Sequence, residues 1–402
     1  MLGAIYISQS GMTAYSTGLD VLSNNVANLN TTGFKVSDPV FTSEVEENDT
    51  GALTGSPGAD TEGAGVSVSS QDVNFQAGNT EDTSDPLDAA IDGNGFFILQ
   101  QGGQLMYTRD GEFEFDNSGT LVNTATQAPV MVRTDSASET TFNVNDYRVF
   151  PPVATTTLTL TGTLAQSGTA TFNMPAVSLI DSTGGSEQVT FDFTRDSTTD
   201  TNWTVQAVNA NGTSLGTGTL QFGADGTPQT GNDSMTLTLS PSGGTTSTVT
   251  VNFGSPGSFT GITSVSGNTV SNVTVENQDG IALGALTGES FNAQGQIVLT
   301  YSNGSTKTPA TLLLAQFNAP QQLKELNGAL FTASGNSTPQ ISTAGSVGLG
   351  NVEGSELEQS NVDLTQQFSS LIIIERGYQA CSQTSSVADQ MIQQLLQMDQ
   401  HS

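Results

Sequence analysis

The residue types that carry most catalytic and metal-binding chemistry are scarce in this sequence. Its single histidine is His401 and its single cysteine is Cys381. His401 lies one residue from the end of the sequence, which argues against a histidine-based catalytic triad. A single histidine cannot form a cluster of histidine metal ligands, and a single cysteine excludes an internal disulfide and a cysteine-rich zinc site. Because Cys381 falls on the apolar side of a predicted helix, we interpret it as a small buried side chain and not as a reactive thiol.

Carboxylates are so abundant that no single pair of them is informative. The chain has 39 acidic and 8 basic residues, so a glycosidase-like pair is expected by chance. Asp88, Asp92 and Asn94 could belong to a calcium loop, but the EF-hand spacing is absent and turn residues are the better interpretation. Gly348-Leu349-Gly350 lacks the strand and helix of a dinucleotide-binding fingerprint, and there is no phosphate-binding P-loop. We therefore predict no enzymatic activity, no metal and no cofactor.

The charge balance limits the partners. A formal net charge of -31 leaves no cluster of cations for phosphate contacts, so nucleic acid and anionic membrane surfaces are excluded as partners. Such acidity also suggests a surface that works in salt, where repulsion between like charges is screened within roughly 8–10 Å. This hypothesis predicts that assembly of the purified protein depends on salt concentration.

The sequence shows no segment that targets or inserts the chain by itself. The longest apolar run, at residues 371–374, is far below the roughly 18 residues that a membrane span needs. The first cation is Lys35, so a cleavable signal peptide with a positive start is not predicted. These residues alone favour a cytoplasmic protein, an expectation that the resemblance described below reverses.

Long amphipathic helices are predicted at the two ends of the chain. Their apolar residues recur at steps of three and four, which places them along one side of a helix. In the first helix, residues 2–29, these are Ile5, Met12, Tyr15, Leu19, Leu22, Val26 and Leu29. In the second, residues 364–395, they are Leu364, Leu371, Ile374, Tyr378, Cys381, Ala388, Ile392 and Leu395.

The other faces of both helices are polar but almost uncharged. The first helix has one charged residue, Asp20, and the second is rich in glutamine. A solvated helix normally shows lysine and glutamate outside its apolar side, so serine, asparagine and glutamine faces favour burial among other helices. Two interpretations remain: a coiled coil between the two ends of the same chain, and assembly of the helices with other copies. Assembly is the favoured one.

The chain between the helices is predicted to be β-strand, turn and loop. Residues 31–75 and 333–360 are interpreted as irregular connecting regions, and residues 76–150 with 276–332 as an inner β-domain. Phe150-Pro151-Pro152 marks a stiff boundary, after which a Thr-, Ser- and Gly-rich segment, 151–275, alternates as an inserted outer β-domain. The fold class is therefore mainly β with terminal α-helices: paired N- and C-terminal helices forming a coiled-coil domain (1–30 and 361–402), plus two antiparallel β-domains.

Several motifs together resemble one family. Residues 8–12 and 22–35, with Asn24, Asn25, Asn28, Gly33 and Phe34, are similar to the N-terminal signature of bacterial flagellar rod and hook axial proteins. Residues 92–97 and 107–111 resemble the core motif of their β-domain, with Asp92, Gly93, Gly95, Phe96 and Phe97. Residues 316–320 and 354–364 resemble its C-terminal half. The motifs cover about half of the chain and both of its ends.

The resemblance implies a structural protein. The inserted domain favours the hook type, whose subunits polymerise into a curved hollow tube that works as a universal joint between rod and filament. It further implies export through the flagellar type III apparatus without a cleaved signal, hence an extracellular location. The implied partners are further copies of the chain, the distal rod protein, the hook cap protein and the hook–filament junction proteins. On this basis the loop at 43–65 is expected to bridge neighbouring subunits and to order only on assembly.

Two alternatives stay open at this point. The chain could be a distal rod protein with an insert, or, in a different class, a secreted β-rich adhesin or carbohydrate-active enzyme. Tube formation by the full-length chain, together with negative glycan-binding and hydrolysis assays, would exclude the last of these.

Overall fold

The computed structural model describes residues 2–45, 63–241, 243–327, 329–335, 337–346 and 348–399. Two long helices lie at the ends of the described chain, α1 (Leu2–Ala27) and α2 (Leu364–Asp399), and they pack against each other. The chain divides into two compact units. The first unit contains residues 1–145, 289–299 and 307–402, and the second contains residues 146–288 and 300–306.

The strands are short and mostly antiparallel. Before residue 146 they are β1 (Ser37–Val45), β2 (Gly63–Val73), β3 (Thr80–Asp82), β4 (Ala89–Asp92), β5 (Phe96–Gln101), β6 (Gln104–Thr108), β7 (Phe113–Phe115), β8 (Leu121–Asn123), β9 (Met131–Thr134) and β10 (Glu139–Thr141). Residues 146–283 contribute β11 (Val149–Phe150), β12 (Thr157–Thr163), β13 (Thr171–Asn173), β14 (Val177–Ile180), β15 (Ser186–Arg195), β16 (Asn202–Asn209), β17 (Ser214–Gln221), β18 (Ser234–Leu239), β19 (Ser247–Asn252), β20 (Ile262–Thr263) and β21 (Asn272–Gln278). The remaining strands are β22 (Gly284–Phe291), β23 (Gln296–Tyr301), β24 (Thr306–Gln316), β25 (Lys324–Asn327), β26 (Leu330–Thr332), β27 (Gln340–Thr343), β28 (Asn351–Gly354) and β29 (Glu356–Glu358).

The first unit is built around strands β5, β6 and β24. β5 and β6 form a hairpin because Gly102 and Gly103 supply the positive φ angles, 59° and 82°, that its tight turn requires. β24 pairs antiparallel with β5, β9 and β27. Apolar side chains from these strands, from β26 and from the segment between β24 and β25 form one buried cluster: Phe96, Ile98, Tyr107, Leu313, Ala315, Phe317, Leu323 and Phe331.

The second unit contains two five-stranded sheets. β18 alternates strictly between exposed and buried residues, as expected for a strand with one face on a core. Trp203, Phe191 and Phe253 are fully buried in this core. One sheet differs from the prediction of purely antiparallel pairing, because β12 pairs parallel with β19 and β20 and antiparallel with β21.

The prediction of an irregular region at 31–75 was wrong. β1 and β2 pair antiparallel from Ser37 opposite Val73 to Val45 opposite Gly63, and the hairpin packs along α1. Strands β27, β28 and β29 likewise occupy much of 333–360. The sequence signal was weak because these strands are rich in serine and carboxylates; in β1 and β2 only Val66-Ser67-Val68 was predicted as a strand, from its alternation. Of the loop predicted at 43–65, residues 46–62 lie outside the described chain.

The predicted fold class is confirmed: the protein is mainly β, with paired helices at its termini. The first helix ends at Ala27, two residues before the predicted end, so Leu29 lies beyond it. The four-part division of the chain into domains stays a prediction. Within the described residues, neither helix has a stretch long and apolar enough to cross a membrane.

Candidate assembly site at the paired terminal helices

Small residues make the closest contacts between α1 and α2. An ideal Cβ on Gly11 would lie 2.7 Å from Cys381 Sγ, and one on Gly18 would lie 3.0 Å from Ile374 Cδ1. On the opposite helix, a Cβ on Gly377 would lie 2.5 Å from Cζ of Tyr15. Such distances leave no room for a larger residue, so the two backbones approach closely because these positions are glycine.

The buried side of α1 therefore differs from the predicted one. Its buried residues are Ser8, Gly11, Ala14, Gly18, Val21, Leu22 and Asn25, of which only Leu22 was predicted. On α2 the buried residues are Gln367, Ile374 and Ala388, and the last two were predicted. On α1 the periodicity argument counted only large apolar residues and so missed Gly11, Ala14 and Gly18, although these recur at the same steps of three and four.

Most other predicted residues flank this contact. Those that are half-buried are Ile5, Met12, Tyr15, Leu19, Val26, Leu371, Cys381 and Ile392. Leu364 and Tyr378 are instead 37% and 39% exposed, so they do not lie on the buried side of the helix pair in the single chain. Leu29 packs beyond the helix end against Phe34, Val36 and Val362. The side chain of Leu395 lies outside the described part of the chain.

A buried polar clamp joins the helix pair to the chain that follows α1. Asn25 Nδ2 donates to Gln367 Oε1 at 3.0 Å and to the carbonyl oxygen of Ser37 at 2.8 Å. Asn25 Oδ1 accepts the backbone N–H of Ser37 at 3.1 Å. A fully satisfied buried amide fixes one register of its neighbours, because any shift leaves polar groups unpaired. Asn25 thus sets the register of α1 against both α2 and β1.

The Ser and Thr hydroxyl groups on the helix faces form hydrogen bonds within their own helix. Thr13 Oγ1, Thr17 Oγ1 and Ser23 Oγ each donate to the carbonyl oxygen four residues earlier, at 2.7–3.1 Å. On α2, Ser369 and Thr384 do the same at 2.8 and 2.9 Å. This pattern explains how a helix can carry so many Ser and Thr side chains without charged partners.

The β1–β2 hairpin covers another side of α1. The backbone N–H of Val66 donates to Ser10 Oγ at 3.2 Å, and the rings of Tyr15 and Phe41 lie 5.6 Å apart. Phe41 Cζ would lie 3.1 Å from a Cβ on Gly18, so this glycine is tight against both α2 and the hairpin. α1 is therefore held between two elements of its own unit.

A buried charge cluster lies where α1 and α2 meet the β part of the first unit. We call the contacts among residues 33–37, Arg109, Glu358 and Asn361 the junction. The carboxylate of Glu358 binds Lys35 Nζ through Oε1 and Arg109 Nη1 through Oε2, the latter at 3.0 Å. All three side chains are at most 4% exposed. Burial lowers the pKa of Lys35, and the Glu358 charge opposes that shift.

The junction is completed by backbone groups. Arg109 Nη2 donates to the carbonyl oxygen of Gly93 at 2.6 Å, and Lys35 Nζ donates to that of Gln76 at 2.9 Å. Asn361 Oδ1 accepts the N–H of Val36 at 2.7 Å. Gly33, at φ 68°, packs so closely that a Cβ would lie 2.4 Å from the nitrogen of Asp110. Only glycine fits there, for both conformation and space.

The remaining motif residues support the same region. Asn28 Nδ2 donates to the carbonyl oxygen of Asn24 at 2.9 Å and Asn28 Oδ1 accepts from Thr31, which closes the end of α1. Phe34 is buried behind the junction. The other predicted motif residues lie in or beside strands β4 and β5: Asp92, Gly93, Gly95, Phe96 and Phe97. Phe96 and Phe97 are buried, and the Arg109 guanidinium lies 5.5 Å from the centre of the Phe96 ring.

One carboxyl beside the junction has an unusual acidity. Asp110 is buried, and this burial raises its pKa from 3.8 to about 6. The amide of Asn123 and the N–H of Glu112 oppose the shift by donating to its two oxygens, whereas the charges of Glu112 and Asp88 add to it. Asp110 is thus neutral at mildly acidic pH in the folded protein.

We expect the first unit to lose stability as the pH rises through about 6. The folded state holds the Asp110 proton more tightly than the unfolded chain, so its stabilising effect is complete below 3.8 and disappears above about 6. The free energy of unfolding should fall by up to roughly 3 kcal/mol over this range, from about 1.4 kcal/mol per pKa unit. Denaturant titrations followed by far-UV circular dichroism at pH 4.5 and 7.5 should show about 2 kcal/mol of this fall, because the unfolded chain is already mostly ionised at pH 4.5.

The matched control is Asp110→Asn, which cannot titrate and should show a smaller difference between the two pH values. An equal pH dependence in wild type and variant would contradict the assignment to Asp110.

The described residues contain no group of three His, Cys, Asp or Glu side chains arranged to hold a metal, and His401 lies outside them. The side chain of Asp88 is nearly buried, and Asp92 lies opposite Asn351 in the ladder of β4 and β28. Both carboxylates therefore belong to strands and turns of the first unit.

Large apolar side chains remain exposed on the helix pair. On α2, Leu364, Phe368 and Ile372 follow one another at steps of four, next to Ile373; we call these four residues the exposed stripe. Val387, Met391 and Leu396 are also exposed on α2, and Tyr6 and Ile7 on α1. Such side chains need cover from another surface, because a contiguous apolar patch on a monomer marks an interaction site. The uncharged faces thus contain exposed apolar residues, and of the exposed stripe only Leu364 was predicted from the sequence.

Comparison with known families matches the segments that build this site. Residues 5–35 match the model "Flagella basal body rod protein", residues 90–145 match "Flagellar hook protein FlgE/F/G D1 domain", and residues 354–398 match "Flagellar basal body rod FlgEFG protein C-terminal". The buried ion cluster takes one residue from each matched segment: Lys35, Arg109 and Glu358. The junction therefore joins all three family segments in one ion cluster.

Whole-chain relatives point in the same direction. The chain is 28% identical to the flagellar hook protein FlgE of Borreliella burgdorferi, over 99% of this chain and 100% of the relative. It is also 28% identical to the FlgE protein of Escherichia coli K12, over 97% of this chain and 98% of the relative. The identity to the FlgE protein of Treponema pallidum is 28% as well, over 99% of this chain and 100% of the relative. A crystal structure of Helicobacter pylori FlgE2 aligns with a TM-score of 0.47 at 12% identity, over 69% of this chain and all of that one.

These relatives include the inserted segment along with the ends, which favours the hook type over a rod protein with an insert. The predicted motifs at 8–12, 22–35, 92–97, 107–111 and 354–364 lie in the matched segments, whereas the motif at 316–320 lies outside them. The fold has the helical termini that the resemblance implied. The chain belongs to the bacterial flagellar hook protein family.

Proposed function

We propose that this chain is the structural subunit of a flagellar hook, in which many copies form a curved hollow tube that transmits torque from rod to filament as a universal joint. The observation that supports the proposal is the exposed stripe, which lies on a helix pair whose own contact between α1 and α2 is already complete. Because Gly11, Gly18 and Gly377 complete the contact between α1 and α2, the stripe is left for contacts with other copies.

The junction supports the mechanical part of the proposal. A joint that transmits torque needs a rigid connection between the parts of each subunit, so that bending occurs at contacts between subunits. Glu358 holds two cations from distant parts of the chain, and Asn25 fixes α1 to α2 and β1. Movement within the first unit would break these buried polar contacts, which is costly.

The proposal includes the location and partners of the chain. The subunit is exported through the flagellar type III apparatus without a cleaved signal and works outside the cell. Besides other copies of itself, it contacts the distal rod protein, the hook cap protein and the hook–filament junction proteins. The function is that of a structural protein and not of an enzyme.

Substitutions in the exposed stripe test the proposal. Ile372→Asp should abolish tube formation by the purified chain in high salt while leaving the circular dichroism of the helix pair unchanged, because Ile372 is exposed in the single chain. A buried carboxylate at each repeated contact costs several kcal/mol, which is enough to prevent polymerisation. Negative-stain electron microscopy and light scattering measure the tubes.

The matched control is Ile372→Leu, which conserves apolar volume and should assemble like the wild type. Wild-type tubes from Ile372→Asp would contradict the role of the stripe. A wild-type chain that forms no tubes over a range of salt concentrations would contradict the proposed function itself.

A further inference from the structure

The junction brings a lysine, a carboxylate and a side-chain amide together. Lys35 Nζ binds the Glu358 carboxylate and also donates to the carbonyl oxygen of Gln76 at 2.9 Å. Asn361 Nδ2 donates to the same carbonyl oxygen, again at 2.9 Å. Because the two nitrogens share one acceptor, they are at most twice that distance apart. The amide of Asn361 is therefore a neighbour of the Lys35 amine.

The surroundings of the Lys35 amine favour its neutral form. The side chain is fully buried, and this burial lowers the pKa of Lys35. The charge and the hydrogen bond of Glu358 oppose the shift, whereas the charge of Arg109 adds to it. A neutral amine has the free lone pair that an ammonium group lacks, so burial makes this lysine more nucleophilic.

Glu358 is in position to move a proton away from this amine. Its Oε1 contacts Lys35 Nζ and also accepts the N–H of Gly78 at 2.9 Å. Its Oε2 accepts from Arg109 Nη1 at 3.0 Å, so both oxygens are held in place. A general base must lie within hydrogen-bond distance of the proton that it accepts, and Glu358 meets this requirement.

The Asn361 amide is held as the group under attack. Its Oδ1 accepts the backbone N–H of Val36 at 2.7 Å, which polarises the carbonyl and stabilises negative charge that develops on the oxygen. Its Nδ2 donates to the carbonyl oxygens of Asn74 and Gln76, each at 2.9 Å. The amide is therefore fixed in one orientation by three hydrogen bonds.

We propose that Lys35 and Asn361 become joined by an isopeptide bond in the folded chain, with Glu358 as the group that transfers the proton. Lys35 Nζ, as the neutral amine, attacks Asn361 Cγ and forms an Nζ–Cγ bond. Glu358 accepts a proton from Nζ and donates it to Nδ2 of Asn361. The Cγ–Nδ2 bond then breaks and ammonia leaves, so the step consumes no oxidant, cofactor or second reactant.

The remaining approach is within the range of a lysine side chain. Attack requires the nitrogen about 3–3.5 Å from the carbon. The flexible four-carbon stem of lysine lets Nζ move from the Gln76 oxygen toward Cγ of Asn361 while the backbone stays in place. Because Lys35 and Glu358 are 323 residues apart, the three groups meet only after the first unit has folded. The bond then locks the chain after α1 to the chain before α2.

Mass spectrometry of the purified chain tests the proposal. Folded wild type, incubated at mildly alkaline pH, should be lighter than its sequence mass by one ammonia molecule. A tryptic digest should contain the peptides of Lys35 and Asn361 as one crosslinked species, without cleavage after Lys35. Lys35→Arg and Asn361→Ala should keep their full sequence mass. Glu358→Gln should form the bond at least roughly 100-fold more slowly, because the proton-transfer group is lost. The matched control is Lys324→Arg, at an exposed lysine, which should crosslink like the wild type.

The wild-type measurement decides the question even where a variant fails to fold, which far-UV circular dichroism detects. A wild-type mass equal to the sequence mass would overturn the inference. Loss of ammonia with normal cleavage after Lys35 would also overturn it, because the loss would then come from another asparagine. Loss of water with Lys35 joined to Glu358 would show that the carboxylate is the acceptor, contrary to the inference. None of these results depends on tube formation, so the inference and the proposed function are tested separately.

Discussion

Replacing Glu358 by glutamine is expected to destabilise the first unit by about 3–5 kcal/mol, the usual cost of removing one partner from a buried ion cluster. The glutamine keeps the shape of the side chain but leaves Lys35 and Arg109 without a counter-charge, in a site where all three groups are nearly inaccessible to water. The free energy of unfolding of a domain is typically about 5–15 kcal/mol, so the substitution removes a large part of it. Denaturant unfolding followed by far-UV circular dichroism, which reports α1 and α2, measures it.

The chain contains an internal control for this experiment. Its only tryptophan, Trp203, is buried in the core of the second unit, so its fluorescence reports that unit alone. Glu358→Gln should shift the dichroism transition and leave the fluorescence transition in place. The matched substitution is Glu139→Gln, since Glu139 pairs with Arg133 at 3.1 Å in a half-exposed position, where a salt bridge contributes about 0–1 kcal/mol. Equal effects of the two substitutions would contradict a structural role for the junction.

Ile374→Asp is expected to separate the helix pair and to abolish assembly. Ile374 is 6% exposed and lies against Gly18, so the substitution removes a buried apolar side chain and places a carboxylate where it finds no partner. Lost burial and the uncompensated charge together cost about 4–5 kcal/mol. Circular dichroism should show loss of helix, while Trp203 fluorescence should show the second unit still folded.

The neighbouring position gives the contrast. Ile373 is 70% exposed, so Ile373→Asp should also prevent tubes but should keep the helical signal of the single chain. Leu19→Asp should fall between the two in its effect on helix content, because Leu19 is half-buried. Normal tubes from Ile374→Asp would exclude the helix pair as the assembly element.

The sequence predicted the helices and the family motifs because both are local patterns. Apolar residues at steps of three and four, and turns built on Gly and Asn, can be recognised without knowing what lies nearby. The composition of the contact between α1 and α2 was predicted less well. Gly11, Gly18 and Gly377 have no hydrophobicity to count, yet they bring the helices together, whereas Tyr378 is hydrophobic and remains exposed.

The junction could not be predicted at all from spacing. Lys35 and Glu358 are 323 residues apart, and no periodic pattern relates them. One signal was available in the composition: with 8 basic residues against 39 acidic ones, a lysine directly after the Gly-Phe of the N-terminal motif is an unusual use of a cation. The pairing of β1 with β2 was missed for a different reason: these strands are held by main-chain hydrogen bonds and by α1, and only Val66-Ser67-Val68 alternates clearly enough to predict a strand.

The long separation of the junction partners has a consequence for the order in which the chain acquires its structure. The second unit contains residues 146–288 and 300–306, whereas Asn25 of α1 and Lys35 after it need Gln367 and Glu358. The ion pair between Lys35 and Glu358 therefore closes over 323 residues of chain. A second unit that folds first brings its own two ends together, which shortens the loop that these contacts must close and lowers its entropic cost.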